Sequence, residues 1–166
     1  NQVILASLLT NQAADAPHFV PLMQQVADNT GAEPAQILAD AGYFSATNLQ
    51  HGDSPFNSTL IPPGRAKHNE PLQPEQTLPR QPETPPRPSE QMRQILATPE
   101  AKAAYACRKK IVEPVFGQIK GCPGSPGFLH ILRRGLRKAS QEWLWACATH
   151  NFLKYLRYQC ASAAAA

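Results

Sequence analysis

The 166-residue sequence predicts an α/β fold, because it combines runs of strand length with segments of helical periodicity. Apolar runs at residues 2–10 and 58–62 have strand length, and helical spacing follows the first run and returns after residue 88. Between these parts lies a segment too rich in proline to build a core. We divide the chain into a core at 1–61, a proline-rich loop or linker at 62–88, a helical part at 89–160 and a tail at 161–166 that we expect to be disordered.

The first predicted strand is the run "QVILASLLT", which ends at the polar residues "TNQ". Residues 18–31 then have the spacing of an amphipathic helix, and Gly31 stands where a C-cap belongs. Asp15 lies just before this helix and fits the N-cap position.

Residues 34–42 fit two structures equally well. Pro34 can open a short helix that Gly42 ends, or the same residues can form a buried strand. Asp40, at the end of this apolar run, therefore has two candidate roles, a capping residue or a metal ligand at the rim of a sheet. The stretch "STLIP" at 58–62 is a second strand candidate, which two prolines end.

The segment 62–88 contains nine of the 17 prolines. This composition favours a loop or a semi-rigid linker with polyproline II character. Its P-x-x-P spacings also leave open an interaction with an SH3-like groove, although a linker is the favoured interpretation.

The helical part begins at Ser89 and is predicted to break at Pro99 and to be disturbed at Pro114. A long terminal helix is predicted from about 131 to 158. Its middle, "WLWACA", is apolar on all sides and is therefore expected to be buried. His150 and Asn151 within it are predicted to form a buried polar pair whose hydrogen bonds are satisfied.

Charge is distributed unevenly along the chain. Residues 1–64 contain five acids and no Lys or Arg, whereas residues 101–160 contain eleven Lys or Arg and only two acids. This asymmetry indicates an acidic half that can hold a cation and a basic half that can meet a polyanion. Ordinary solvated charge is the alternative.

Composition excludes several classes of protein. No apolar stretch is long enough to span a membrane. The four cysteines form no C-x-x-C pair, so neither a zinc site nor a disulfide scaffold is predicted, and reduced thiols in a cytosolic protein are expected.

Glu113 stands out because it is the only acid between residues 101 and 141. On a helix, Lys109, Phe116 and Lys120 share its face. A carboxylate between two lysines fits a surface ion pair, and it also fits a metal ligand beside cations that bind phosphate.

Five blocks of the sequence occur in the order seen in bacterial insertion-sequence transposases of the DDE class: "VILASLLTNQAAD", "NTGAEPAQILADAGYFSATNL", "IPPGRAKH", "YACRKKIVEPVFGQIKG" and "FLHILRRGLRKASQEWLWACATHNFLKYLR". The sequence resembles that family over nearly the whole chain outside the proline-rich segment and the tail. The resemblance implies a partial ribonuclease-H-like fold, in which a remnant mixed sheet lacks its first strands and carries flanking helices and a proline-rich insertion.

The resemblance also implies a function, metal-dependent cleavage and strand transfer of transposon DNA. In that family three carboxylates surround two divalent ions, Mg²⁺ or Mn²⁺, and here Asp40 looks like the second carboxylate and Glu113 like the third. Tyr105, Arg108 and Lys120 look like the other members of the family's last motif. Tyr105 and Arg108 lie one residue too early relative to Glu113, so Lys109 is a further candidate for the DNA contact.

The candidate DNA-binding residues extend beyond this motif, and we expect the four residues of "RRGLRK" with positive charge to form one basic helix face. The full set is Tyr105, Arg108, Lys109, Lys120, Arg65, Lys67, Arg133, Arg134, Arg137 and Lys138. A solvated helix face is the alternative for the last four. The expected partner is DNA, both transposon ends and target, with self-association as a further prediction and a cytoplasmic, nucleoid-associated location.

The family's first carboxylate lies on a strand upstream of anything that resembles "QVILASLLT", and Asp15 is not expected to replace it. We therefore expect a transposase fragment that is inactive by itself. The alternative is a non-catalytic DNA-binding protein that uses the basic helices.

Overall fold

The computed structural model describes residues 2–50, 59–64, 86–121 and 130–164. These residues form a mostly helical α/β structure with one two-stranded parallel sheet, so the predicted α/β class is confirmed. The helices are α1 (Phe19–Thr30), α2 (Ala46–Leu49), α3 (Pro88–Ala97), α4 (Pro99–Lys120) and α5 (Leu136–Ala164). The strands are β1 (Ile37–Leu38) and β2 (Thr59–Leu60), and 3₁₀ turns occur at Ala16–His18 and Ala41–Tyr43.

The chain divides into two compact units, which we name after the two candidate metal ligands. The Asp40 unit comprises Ala14–Val20 and Pro34–Tyr105. The Glu113 unit comprises Asn1–Ala13, Pro21–Glu33 and Ala106–Ala166.

The sheet of the Asp40 unit resolves the ambiguity at residues 34–42 in favour of a strand, which covers only Ile37–Leu38 and is partly buried where a buried strand was expected. Ile37 lies opposite Thr59 and Leu38 opposite Leu60. The N–H of Ala39 extends the ladder by donating to the carbonyl of Leu60 at 3.1 Å. The prediction of a second strand within 58–62 is confirmed over the residues of it that the structure describes, and this strand ends before Pro62, which has no N–H to continue a ladder.

The core of the Asp40 unit gathers around β2. Leu60 and Ile61 are buried together with Phe19, Leu49 and Met92. Each such side chain contributes roughly 1.5–3 kcal/mol when it is fully removed from water. This packing fixes β2, and through the ladder it fixes the end of β1.

Helix α1 confirms the prediction at its C-terminus and corrects it at its N-terminus. Gly31 follows the helix with a φ of 73°, and its N–H donates to the carbonyl of Ala27 at 2.8 Å. Asp15 does stand at an N-cap position, before the 3₁₀ turn, but its side chain makes no capping hydrogen bond. Its backbone carbonyl accepts from the N–H of His18 instead, so the predicted capping role of the carboxylate is wrong.

Residues 2–10 form no strand, so this part of the prediction is wrong. The polar groups of the segment pair with side chains of the Glu113 unit rather than with another strand. Asn151 accepts from the N–H of Ile4 at 2.9 Å and donates to its carbonyl at 2.7 Å. His150 is buried, and its Nε2 donates to the carbonyl of Gln2 at 2.8 Å. The predicted hydrogen-bonded pair in the terminal helix is confirmed, although Asn151 is only partly buried.

The predicted break at Pro99 is confirmed, because α3 ends at Ala97 and α4 begins at Pro99. Thr98 between them donates through Oγ1 to the carbonyl of Ile95 at 2.8 Å and accepts from the N–H of Ala101 at 3.3 Å. One hydroxyl therefore closes one helix and caps the next.

Helix α4 continues through Pro114. Proline has no N–H, so the carbonyl of Lys110, four residues earlier, loses its usual helical donor. The side-chain Nε2 of Gln2 donates to that carbonyl at 3.1 Å. A side chain of the same unit thus replaces the missing bond, which explains why the predicted disturbance does not interrupt the helix.

Helix α5 begins later and ends later than predicted. It reaches Ala164, so residues 161–164 are helical where a disordered tail was expected. The prediction that "WLWACA" is buried is wrong for its outer side, where Trp145 is 75% exposed. Only the side of α5 that carries Ala139, Cys147 and His150 is buried within the described residues.

Two further points concern the classes that composition excluded. Among the described residues, no helix combines the length and the apolar character needed to cross a membrane. Within the described part of the chain, Cys107, Cys147 and Cys160 take part in no disulfide. The predicted proline-rich linker falls largely on residues 65–85, which lie outside the described residues.

Candidate active site

Asp40 lies at the carboxyl end of β1, one residue beyond the ladder, and is partly buried. Its Oδ1 accepts from the N–H of Gly42 at 3.1 Å and so caps the 3₁₀ turn that follows. The capping role that the sequence left open is therefore observed, and the role of metal ligand stays a prediction. A carboxylate offers about four lone-pair sites on its two oxygens, so a capping bond to one oxygen is compatible with a metal bond.

A second carboxylate, that of Asp15, lies beside the same turn. A Cβ atom placed on Gly42 would be 2.5 Å from Oδ2 of Asp15 and 3.2 Å from Oδ1 of Asp40. A residue with a side chain would therefore displace the Asp15 carboxylate. The sequence reasoning missed this neighbour because 27 positions separate Asp15 from Gly42, and no local pattern links them.

The two carboxylates act on Tyr43. Burial raises the pKa of the Tyr43 phenol above its usual value of 10.0, and the negative charges of Asp15 and Asp40 raise it further. The phenol also packs against Phe19, with ring centroids 6.2 Å apart. The site beside Gly42 thus combines a negative potential with a partly desolvated wall, which favours a bound cation.

Asn48 explains why the chain segments that carry the two carboxylates come together. It is buried, and its Nδ2 donates to the carbonyl of Ala16 at 2.9 Å and to the carbonyl of Tyr43 at 2.8 Å. Its own N–H donates to Oγ of Ser45 at 3.0 Å. One amide side chain therefore ties the turn after Asp15 to the turn after Asp40.

Tyr105 of α4 approaches Asp40 from another side. Its hydroxyl donates to the carbonyl of Ala39, the residue before Asp40, at 3.3 Å. Tyr105 is partly buried. The resemblance suggested a DNA contact for Tyr105, and no observation tests that assignment. The hydrogen bond to Ala39 spans 66 positions in sequence, so the spacing of the motif gave no sign of it.

Glu113 is exposed on α4 in the Glu113 unit. Because α4 is continuous, Lys109, Phe116 and Lys120 lie on its side of the helix as predicted. Phe116 stacks on Trp143 of α5 with ring centroids 6.2 Å apart and an interplanar angle of 15°. Asp40 and Glu113 belong to different units, so the convergence that the resemblance implies stays a prediction.

The basic residues before and within α5 do not form one helix face, so that prediction is wrong. Arg133 and Arg134 precede the helix, whereas Arg137 and Lys138 are exposed in its first turn. The helix starts late because Gly135 takes a left-handed φ of 87° at its entrance.

Glu142 of α5 holds the segment that carries the first two arginines. Its carboxylate accepts from the N–H of Leu132 at 3.0 Å and from the N–H of Arg133 at 2.9 Å. These bonds stabilise the ionised form, and the N–H of Leu132 contributes most to lowering the pKa of Glu142 below 4.5. Glu142, which lies among basic residues, is therefore bound to two backbone N–H groups.

The remaining candidates divide between the described and undescribed parts of the chain. On α4, Arg108 is partly buried while Lys109 and Lys120 are exposed. Arg65 and Lys67 lie outside the described residues. No group of three or more His, Cys, Asp or Glu side chains converges within the described part of the chain.

Divalent ions at a catalytic site can drive displacement at phosphorus, and exposed lysines and arginines can neutralise the phosphates of DNA. A family model described as "Transposase DDE domain" matches residues 1–152. The chain therefore belongs to the transposase DDE domain family, which confirms the resemblance seen in the sequence. Transposases of this family act on DNA and generally use divalent metal ions. No curated protein and no solved structure matches the chain.

Proposed function

We propose that this chain serves DNA transposition by supplying Asp40 and Glu113 as carboxylate ligands of divalent ions, Mg²⁺ or Mn²⁺, within a partial ribonuclease-H-like fold. The observation that supports this most is the position of Asp40 at the carboxyl end of a parallel strand, beside a second carboxylate. Ligands of α/β sheets commonly bind at that end of the strands.

The residues present fit a hard cation. Carboxylate oxygens are the donors that Mg²⁺ prefers, and this ion keeps several waters, so one or two protein carboxylates suffice for each ion. Asp40 would hold the ion directly, and the charge of Asp15 beside Gly42 adds to the attraction. Burial contributes most to the raised pKa of Tyr43, and the negative charges of Asp15 and Asp40 add to it. Glu113 would complete the ligand set.

Divalent ions held by Asp40 and Glu113 would supply the positive charge that an in-line displacement at phosphorus needs on its attacking and leaving oxygens. The protein residues bind and orient the DNA around it. Lys109 and Lys120 flank Glu113 on α4, and exposed ammonium groups of this kind neutralise phosphates without reading base sequence. Arg137 and Lys138 would extend the phosphate contacts along the first turn of α5.

The test is an excision assay with the transposase that carries this chain. Asp40→Asn removes the ligand charge and keeps the side-chain shape, so excision should fall to background while DNA affinity changes by no more than about twofold. Asp28→Asn on α1 is the matched control, because Asp28 is exposed and accepts a hydrogen bond from Gln24 of the same helix. Normal excision by Asp40→Asn would refute the assignment of Asp40.

The rival function is DNA binding without catalysis. It predicts that Asp40→Asn is silent and that the double variant Arg137→Ala, Lys138→Ala abolishes function. Our proposal predicts that this double variant only weakens binding and lowers the slope of log affinity against log salt by roughly 0.9 for each lost phosphate contact. Lys102→Ala on α4, an exposed cation outside the candidate set, controls for net charge.

Activity of the chain by itself is a separate matter. The expectation that it does not cleave DNA alone stays a prediction, which nicking of supercoiled plasmid in the presence of Mn²⁺ tests. Self-association and a nucleoid-associated cytoplasmic location also stay predictions.

A further inference from the structure

Ala39, the residue before Asp40, is held through both of its backbone polar groups. Its N–H donates to the carbonyl of Leu60 in the sheet at 3.1 Å. Its carbonyl accepts from the hydroxyl of Tyr105 on α4 at 3.3 Å. The residue that extends the ladder past β1 is thus fixed by the sheet through its N–H and by α4 through its carbonyl.

The second bond has a direct consequence for Asp40. The carbonyl of Ala39, the N–H of Asp40 and the Cα of Asp40 lie in one rigid peptide plane. Fixing the direction of that carbonyl therefore fixes where the Cα of Asp40 stands and limits the directions its side chain can take. The bond between Oδ1 of Asp40 and the N–H of Gly42 then sets the carboxylate itself.

We propose that Tyr105 is a positioning residue, which orients the carboxylate of Asp40 for cation binding through its hydrogen bond to Ala39. This inference rests on the proposed role of Asp40 as a metal ligand. Tyr105 is partly buried, and its hydroxyl donates to the backbone carbonyl of Ala39. This geometry favours a positioning role for Tyr105 over a contact with a DNA phosphate. Groups that hydrogen-bond directly to a metal ligand commonly change metal affinity 10- to 100-fold when they are removed, and for this bond to the preceding residue we expect the lower end of that range.

Tyr105→Phe isolates the hydrogen bond, because phenylalanine fills the same space and lacks only the hydroxyl. Tyr158→Phe is the matched control, since Tyr158 lies on α5 with 69% of its surface exposed. The full chain is titrated with Mn²⁺ and free Mn²⁺ is followed by electron paramagnetic resonance. Tyr105→Phe should weaken Mn²⁺ binding at least about tenfold, and Tyr158→Phe should leave it unchanged.

A second readout does not depend on the metal. The exchange of the Gly42 amide proton with solvent reports whether the carboxylate of Asp40 still accepts its hydrogen bond, and Tyr105→Phe should accelerate it relative to Tyr158→Phe. Thermal unfolding of both variants checks that the fold is retained. If Asp40→Asn leaves Mn²⁺ affinity unchanged, the proposed function fails, and faster Gly42 exchange in Tyr105→Phe then still supports the positioning role. Unchanged affinity together with unchanged exchange overturns the inference, as does a loss of DNA affinity alone.

Discussion

The carboxylate of Asp15 lies where a side chain on Gly42 would stand, since an ideal Cβ on Gly42 falls 2.5 Å from Oδ2 of Asp15. Real Cβ atoms essentially never approach another heavy atom so closely. A side chain at this position of the turn after β1 would therefore have to move the carboxylate of Asp15. This relationship brings two acids together that the sequence places in separate elements.

Gly42→Ala should move the Asp15 carboxylate and should give none of the stability that Ala usually gains over Gly. Substituting Gly by Ala at a compatible backbone position commonly stabilises by about 0.4–1 kcal/mol, because the unfolded chain loses freedom. Gly117→Ala on α4 is the control, since no atom lies within 4 Å of its Cβ position. Urea unfolding compares the two, and an equal gain for Gly42→Ala would show that Asp15 does not crowd the turn.

Asp15→Asn should lower the pKa of Tyr43, because it removes one of the two negative charges that disfavour the phenolate. A tyrosine with a raised folded pKa stabilises the fold below its unfolded pKa of 10.0 and loses that contribution as the pH rises through the folded value. The alkaline loss of stability should therefore be smaller in Asp15→Asn. Titration of the Tyr43 ring by NMR measures the shift, and Asp28→Asn should produce none.

Asn151→Leu should destabilise the Glu113 unit by about 1–3 kcal/mol, because the N–H and the carbonyl of Ile4 both lose their partner while partly buried. Asn29→Ala removes a single exposed bond to Leu5 and should cost less, about 0.5–1.5 kcal/mol. Denaturant unfolding measures both. Equal losses would mean that residues 2–10 are held by something other than the amide of Asn151.

The sequence anticipated elements whose signals are local and missed relationships that depend on distant residues. The strand at Ile37–Leu38, the C-cap at Gly31 and the break at Pro99 all carry their own signals in apolar runs, glycine and proline. The apolar run at residues 2–10 predicted a strand by the same local signals, but a strand forms only when a second strand pairs with its backbone. Here the backbone of Ile4 pairs with the side chain of Asn151 on a helix, and no pattern within residues 2–10 indicates this pairing.

The candidate site shows the same limit. Asp40 was found through a resemblance, and the strand before it supports the choice. The hydrogen bond of Tyr105 to Ala39 and the contact of Asp15 with the turn depend on tertiary packing across 66 and 27 positions, so spacing within a motif could not show them. The late start of α5 likewise depends on the left-handed backbone of Gly135. Because the helix begins after Gly135, Arg133 and Arg134 lie outside it and cannot share a helix face with Arg137 and Lys138.

Glu142→Gln should loosen the segment before α5 in a way that depends on pH. The carboxylate has a lowered folded pKa, so its contribution is present above its unfolded pKa of 4.5 and is lost as the pH falls through the folded value. The difference in unfolding free energy between the protein and Glu142→Gln should therefore shrink below pH 4.5. A difference that is independent of pH would mean that the bonds to Leu132 and Arg133 are not made by the ionised acid.

The central proposal is that Asp40 and Glu113 are ligands in one metal centre, and a double-mutant cycle in Mn²⁺ affinity tests it most directly. Asp40→Asn and Glu113→Gln are measured singly and together on the full chain, with Asp28→Asn as the control. Two ligands of one ion are coupled, so the double variant should bind Mn²⁺ no more weakly than the weaker single variant. Losses that multiply, or a Glu113→Gln variant that binds Mn²⁺ as tightly as the unmodified protein, would contradict the account.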